Sequence, residues 1–407
     1  MGVLSPNANS VKEFSDAIFS GKSGIGLITR FDPSGLKIKI AAEVKNFKPD
    51  EYMPIAVVRK TDRFAQFGLA TAKMAIADAR LSAETNGLSE AAVVIGSGLG
   101  GQNFHEEMIH AFIAAGASGV AASSVPRITP NAVSAYIAIQ NKIKGSNQVI
   151  STACSSSAQA IGEAFHKIRN KVVDLAVTGG VEAAVSIVNV AFYQAMMVLG
   201  TSVTGNIEDA SRPFDATRNG FVIGEGAACL ILEELHHALE RNAPIHAEIV
   251  GFGSNCGAYH MVAPDPTGED AKEAMSAALQ DASLRPEDVD YISTHGTSTK
   301  LNDVVETRAI KALLGERAHH VPASSIKSMI GHTIGASGAI QAVASCLVLE
   351  NDCMPPTIHL NNPDPECDLD YVPNKSRNVP VSVVLSNSFG FGSNNAVLVF
   401  KRFSNKQ

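Results

Sequence analysis

The sequence predicts an α/β protein made of two similar halves, and three observations carry that expectation. Short apolar, β-branched runs that end in glycines recur along the chain. Between them lie segments whose apolar residues repeat at helical spacing. The length agrees: 407 residues, 45% hydrophobic and 18% charged, can bury a large core and suggest two domains or one duplicated unit.

Taken in order, "AAVVIGSG" (91–98) reads as a buried strand running into glycines. "QVIST" (148–152) reads as another, followed by a helix whose inward stripe is Ala158, Ile161, Phe165 and Ile168. "VVDLAVTGG" (172–180) repeats the strand pattern. The turn signal at Asn242–Pro244 marks a midpoint, dividing the chain into 1–242 and 243–407, although self-similarity between the two is faint. In the second half come a helix over Asp270–Ala282 and the strands in "VDYISTHG" (289–296) and "VPASSIKS" (321–328). A helix over Ala336–Glu350 carries an Ile340, Val343, Leu347 stripe, and two strands flank the glycine-rich turn of "VVLSNSFGFGSNNAVLVFKR" (383–402).

Composition excludes several classes. The formal net charge of −7 argues against nucleic-acid binding. Six cysteines without CxxC or Cys/His metal spacing read as reduced thiols of a cytoplasmic protein, Cys229 and Cys346 simply buried, and no metal is expected. The first ten residues lack a signal peptide, and Pro6 spoils the myristoylation pattern in "MGVLSP". No apolar run long enough to span a membrane is apparent. "GSGLGG" (96–101) fits a dinucleotide fingerprint, but no Asp or Glu occurs between Glu107 and Glu163 to hold a ribose. A tight loop with closely approaching backbones is the expected reading.

Strand ends that run into glycines are where α/β sheets place their chemistry. Cys154, in "STACSSS", stands between a strand and a helix, where unpaired N–H groups and the helix dipole are expected to lower a thiol's pKa. Its small neighbours leave room for an acyl group; an inert buried cysteine is the alternative. His295 in "STHGTST" and His332, five residues after Lys327, lie in similar glycine- and hydroxyl-rich loops. Each alone reads as a structural histidine; with Cys154 they form a plausible Cys-His-His set for acyl-thioester chemistry. Lys327 has an alternative as an ion-pair partner of Glu306 or Asp303, and Thr297 and Thr299 as capping hydroxyls. Histidines 166, 236, 237, 246, 319 and 320 read as solvated.

These segments ("TACSSS", "SRPFDATRNGFVIGEGA", "THGTST…NDVVE", "KSMIGHTIGASGA" and "SNSFGFGSNNA") closely resemble the β-ketoacyl-acyl-carrier-protein synthases of the elongating Cys-His-His type, in collinear order along the whole chain. The resemblance implies a thiolase-like fold, two similar α/β halves stacked as αβαβα, and a homodimer or a heterodimer with a ketosynthase-like chain. It implies that Cys154 carries the acyl group, and that His295 and His332 hold the malonyl carbonyl during decarboxylation. Lys327 would orient the His332 region, and the amides of Cys154 and Phe391 would form the oxyanion hole. Phe391 would also be the gate, Phe221 would sit at the pocket mouth, and Thr297 and Thr299 would touch the pantetheine arm. An acyl carrier protein would be the partner; no metal, cofactor, nucleic acid or membrane enters. A decarboxylase or acyltransferase on the same fold, and a non-catalytic chain-length-factor-like subunit, are the alternatives.

The chain departs from the family pattern in several places. Its usual first strand is expected to be missing, because the chain begins at "MGVLSP". Gln341 stands where Glu is usual nine residues after the second histidine, and Ser293 replaces an Asn; both positions help some relatives hold a monovalent cation. Ser393 and Asn394 alter the turn behind the gate. Residues 119–126 and 201–210 lack Lys and Arg, leaving Arg59, Lys60 and Arg63 as the expected carrier-docking patch.

Overall fold

The computed structural model describes residues 1–82 and 87–404. Two five-stranded mixed sheets organise it. The first contains β1 (Gly2–Leu4), β2 (Ala92–Gly96), β3 (Asn147–Ile150), β4 (Leu175–Ala183) and β5 (Glu225–Glu233). The second contains β6 (Glu248–Cys256), β7 (Tyr291–Ser293), β8 (Ala323–Ser324), β9 (Val383–Gly390) and β10 (Asn394–Lys401).

The spatial orders are β1-β5-β4-β2-β3 and β6-β10-β9-β7-β8. Counted within each set, both read first-fifth-fourth-second-third. The pairings match as well: antiparallel, antiparallel, parallel, parallel. The duplication too faint to see in the sequence is therefore plain in the topology.

Five layers follow. Helices α1 (Arg63–Asp78) and α2 (Ala132–Asn141) cover the outer face of the first sheet. Helices α3 (Ser156–Arg169) and α6 (Ser337–Asn351) fill the space between the sheets and pack on each other. Helices α4 (Glu269–Asp281) and α5 (Lys300–Leu314) lie on the second sheet's outer side. A helix sandwiched between two sheets must be apolar all round; every residue of α6 from Ser337 to Leu349 is buried. Among the described residues one helical segment, 334–351, is long and apolar enough to cross a membrane, but 89% of it is buried inside the fold. β2 is buried along its whole length, as a strand covered on both faces must be.

The expected absence of a first strand is corrected. Gly2–Leu4 pairs antiparallel with Ala227–Cys229, and Val3 and Leu4 are fully buried. Three residues suffice because Gly2 lets the strand lie against α1: a Cβ there would come within 2.2 Å of the Thr71 carbonyl oxygen.

The two central helices begin alike. A 3₁₀ turn over Ala153–Ser155 leads into α3, and one over Ile334–Ala336 leads into α6. The first residue of each turn is left-handed, with φ of 52° at Ala153 and 47° at Ile334. This conformation is costly for Ala and more so for a β-branched residue. The packing of both sheets against the central layer holds it in place.

Candidate active site

Cys154 occupies the turn between β3 and α3, as its strand-to-helix position suggested, with the regular helix starting at Ser156. Close packing places it there. A Cβ on Gly96 would lie 2.4 Å from the backbone of Ser156, and one on Gly180 would lie 2.3 Å from the Ser157 Cβ. The amide N–H groups of Cys154 and Phe391 both bond the sulfur. The expectation of an anionic thiol is nevertheless corrected. Cys154 is only 7% exposed, and burial pushes its thiol up to about 12, against the opposing pull of Lys327 and these two amides. The turn's dipoles are real, but desolvation outweighs them.

His295 follows β7 in a loop held open by carboxylates. Glu306 on α5 accepts from the amides of His295 and Gly296, both at 2.7 Å, and Asp303 accepts from that of Thr297 at 3.1 Å. His332 is fixed by its backbone, donating to the Val222 carbonyl at 2.7 Å and accepting from Gly224 at 2.9 Å. The two rings stand edge to face with centroids 5.4 Å apart. Burial, reinforced by Lys327, holds both well below the ordinary histidine range, so both are neutral. The buried Nδ1 atoms of both rings lack a hydrogen-bond partner. Because a sealed, unpaired N–H is costly, this assigns the single proton of each ring to Nε2.

Lys327 forms no contact ion pair with Glu306 or Asp303. Its Nζ donates to the His295 carbonyl at 2.6 Å and to Gln341 Oε1 at 2.7 Å. Its ammonium thus touches the His295 loop, while its charge also reaches His332, and it does not line the cavity.

Cys154, His295, His332, Phe391, Thr297, Thr299 and Phe221 all line one cavity of about 590 Å³. Thr297 and Thr299 share a hydroxyl hydrogen bond of 2.9 Å, and Thr299 also caps α5, so capping and cavity lining coexist. Phe221 is an inner wall rather than a mouth: it is 5% exposed and wedged edge-on between Tyr193 and His332. The turn bearing Phe391 is tied to residues 257–262. Gly392 donates to the Met261 carbonyl, and the Ser393 hydroxyl bonds the His260 carbonyl. Thus Ser393 anchors the Phe391 turn to a neighbouring loop.

Other residues were missed in the sequence. Tyr193, Met197 and Val262 line the same cavity, yet they lie on apolar segments that carry no motif. His260 lines it too, with Nδ1 accepting from the amides of Val262 and Ala263 at 3.0 Å. Glu182 is a buried carboxylate that accepts from Gly98, Leu99 and Gly335, and burial raises it to about 7. Those first two bonds explain "GSGLGG" as a tight loop clasping a side chain. His246 is not solvated: it bridges Asp78 and Glu350. Arg63 leaves the expected docking patch, because its guanidinium is bound to Glu225; Arg59 and Lys60 stay exposed.

Comparison with known proteins supplies the family. Residues 1–238 match the β-ketoacyl synthase N-terminal domain and residues 246–361 match its C-terminal domain. The chain belongs to the β-ketoacyl synthase family. This synthase is 43% identical over 402 residues to the 3-oxoacyl-[acyl-carrier-protein] synthase 2 of Coxiella burnetii, covering 99% of this chain and 97% of that one. It is 42% identical over 403 residues to the enzyme of the same name from Synechocystis, with the same coverage. Among solved structures, the ishigamide ketosynthase/chain length factor superposes with a TM-score of 0.93 at 34% identity, covering 99% of this chain and 98% of that one. A type II PKS acyl-carrier protein in complex with its ketosynthase bound to the hexaketide gives 0.91 at 31%, with the same coverage. The synthase has their two-domain, thiolase-like α/β fold, and its class of chemistry is acyl transfer.

Proposed function

We propose that the chain catalyses decarboxylative Claisen condensation between an acyl group on Cys154 and malonyl-acyl carrier protein. One observation carries this reading: a buried cysteine, two neutral histidines and two amide donors converge on a single cavity. Residues 1–242 supply the nucleophile, and residues 243–407 supply both histidines. In the first step Sγ of Cys154 takes the acyl carbon from a pantetheine thioester, and the thiol proton leaves with the departing pantetheine sulfur. Loss of CO₂ from the malonyl group then leaves an enolate, whose oxygen accepts from Nε2–H of His295 and His332. Neutral donors suit this task because they need no proton exchange with the buried Lys327 ammonium.

The enolate carbon next bonds the acyl carbon. The amides of Cys154 and Phe391 receive the oxyanion, the C–S bond breaks, and the released thiolate takes a proton from solvent. Thr297 and Thr299 flank the path of the pantetheine arm. No metal or organic cofactor has a step in this scheme.

We further propose a cytoplasmic enzyme that works as a dimer with a second ketosynthase-like chain. Ile109, Phe112 and Ile113 on the helix Gln102–Ala115, and Ile187 and Phe192 on Ile187–Ala195, expose apolar side chains, and β3 is an open sheet edge. Sedimentation of the chain alone and with candidate partners distinguishes a homodimer from a heterodimer. The lack of Lys and Arg in residues 119–126 and 201–210 supports a dedicated carrier of a secondary-metabolite type; equal transfer rates from its own and a fatty-acid carrier would overturn that. The condensation itself is tested by intact mass after incubation with acyl-carriers: wild type gains the acyl mass and Cys154→Ala does not.

A further inference from the structure

The loop bearing His295, the lysine that holds it and the hairpin that carries the gate meet at one buried side chain, Gln341 of α6. Its Oε1 accepts from Lys327 Nζ at 2.7 Å and from the Ser337 hydroxyl at 3.2 Å. Its Nε2 donates to the carbonyls of Thr294, next to His295, at 3.1 Å and of Asn387, on β9, at 3.0 Å. Both ends of the amide are thus used, one as acceptor and the other as donor. A carboxylate here would turn lone pairs toward two carbonyl oxygens, and an apolar side chain would remove these bonds, leaving Lys327 the His295 carbonyl alone.

The nearest carboxylates are committed elsewhere. Glu306 accepts from His295, Gly296 and Asn387, and Asp303 accepts from Thr297 and Phe214 and pairs with Arg218. A neutral amide therefore holds Lys327 on the His295 carbonyl, with no acid in contact with the ammonium.

We propose that Gln341 is a positioning residue for the condensation: it fixes Lys327 against His295 and leaves the ammonium's field free to act on Cys154 and the reacting carbonyls. The inference rests on the ketosynthase reading. The groups that face Lys327 are Glu306 and Asp303 from α5, Cys154 from the turn before α3, and the two histidines. Burial lowers Lys327 to about 8, with Glu306 the largest opposing influence. An added carboxylate in contact would raise it.

The test compares the pH dependence of malonyl-carrier decarboxylation in wild type, Gln341→Glu and Gln341→Met, with acylation of Cys154 followed by intact mass. Wild type is expected to lose activity as pH rises through about 8. Gln341→Glu should move that alkaline limb up by about one unit or more, and Gln341→Met should lower the rate about tenfold while still accepting the acyl group. A folded Gln341→Glu with the wild-type limb would overturn the proposal. If that variant does not fold, a Gln341→Met at the wild-type rate overturns it, as does a wild-type profile without an alkaline limb between pH 7 and 9. Failure of wild type to acylate Cys154 at all would sink the ketosynthase reading instead.

Discussion

The imidazoles of His295 and His332 face each other edge to face, 5.4 Å between centroids, one from each of two loops that follow neighbouring parallel strands. Burial and the shared influence of Lys327 keep both uncharged. Decarboxylation should therefore hold its rate as pH falls through 6.5, without the acid limb that an ordinary histidine would impose; a rate–pH profile checks this.

Removing either donor should cost decarboxylation more than acylation. For His295→Ala or His332→Ala, malonyl decarboxylation should fall on the order of 10²–10³-fold, the usual effect of losing one oxyanion donor. Acyl-Cys154 should still accumulate by intact mass.

Cys154 should be a slow target for alkylation. With its thiol pushed up to about 12 and 7% exposed, it should react with iodoacetamide at pH 7 more slowly than the exposed Cys256. Peptide mapping over a time course reads this directly. Faster labelling at 154 would restore the low-pKa thiolate.

His246 should act as a pH-dependent clasp between Asp78 of α1 and Glu350 of α6. Bonds to these two carboxylates raise His246 to about 9, above its unfolded value near 6.5. A raised histidine adds stability that is fully present below 6.5 and is lost as pH rises through 9. His246→Leu should then destabilise by roughly 1–2 kcal/mol at pH 6, after discounting for partial exposure, and by little at pH 10. Denaturant melts at the two pH values make the comparison.

Much of the architecture was legible in the sequence. Strands at 92–96, 175–183 and 383–401 announce themselves through β-branched runs bounded by glycine, and the helices at 269–281 and 337–351 through spacing. Gly2–Leu4 was invisible because three residues cannot display a period; only the antiparallel partner in β5 makes them a strand. Tyr193, His260 and Glu182 were missed for a related reason, since each gains meaning from groups far along the chain.

The sequence by itself determined which residue types stand at the junctions proposed to carry the chemistry: the thiol at 154, the imidazoles at 295 and 332 and the glycine turns around them. Tertiary structure alone decided their states. Whether a thiol is charged, which carbonyl a lysine holds and where an arginine points depend on solvent exclusion and on neighbours brought together from both halves, and no local pattern encodes those energies. Cys154 illustrates both. Its place at a helix start is local, while its neutrality comes from the protein packed around it.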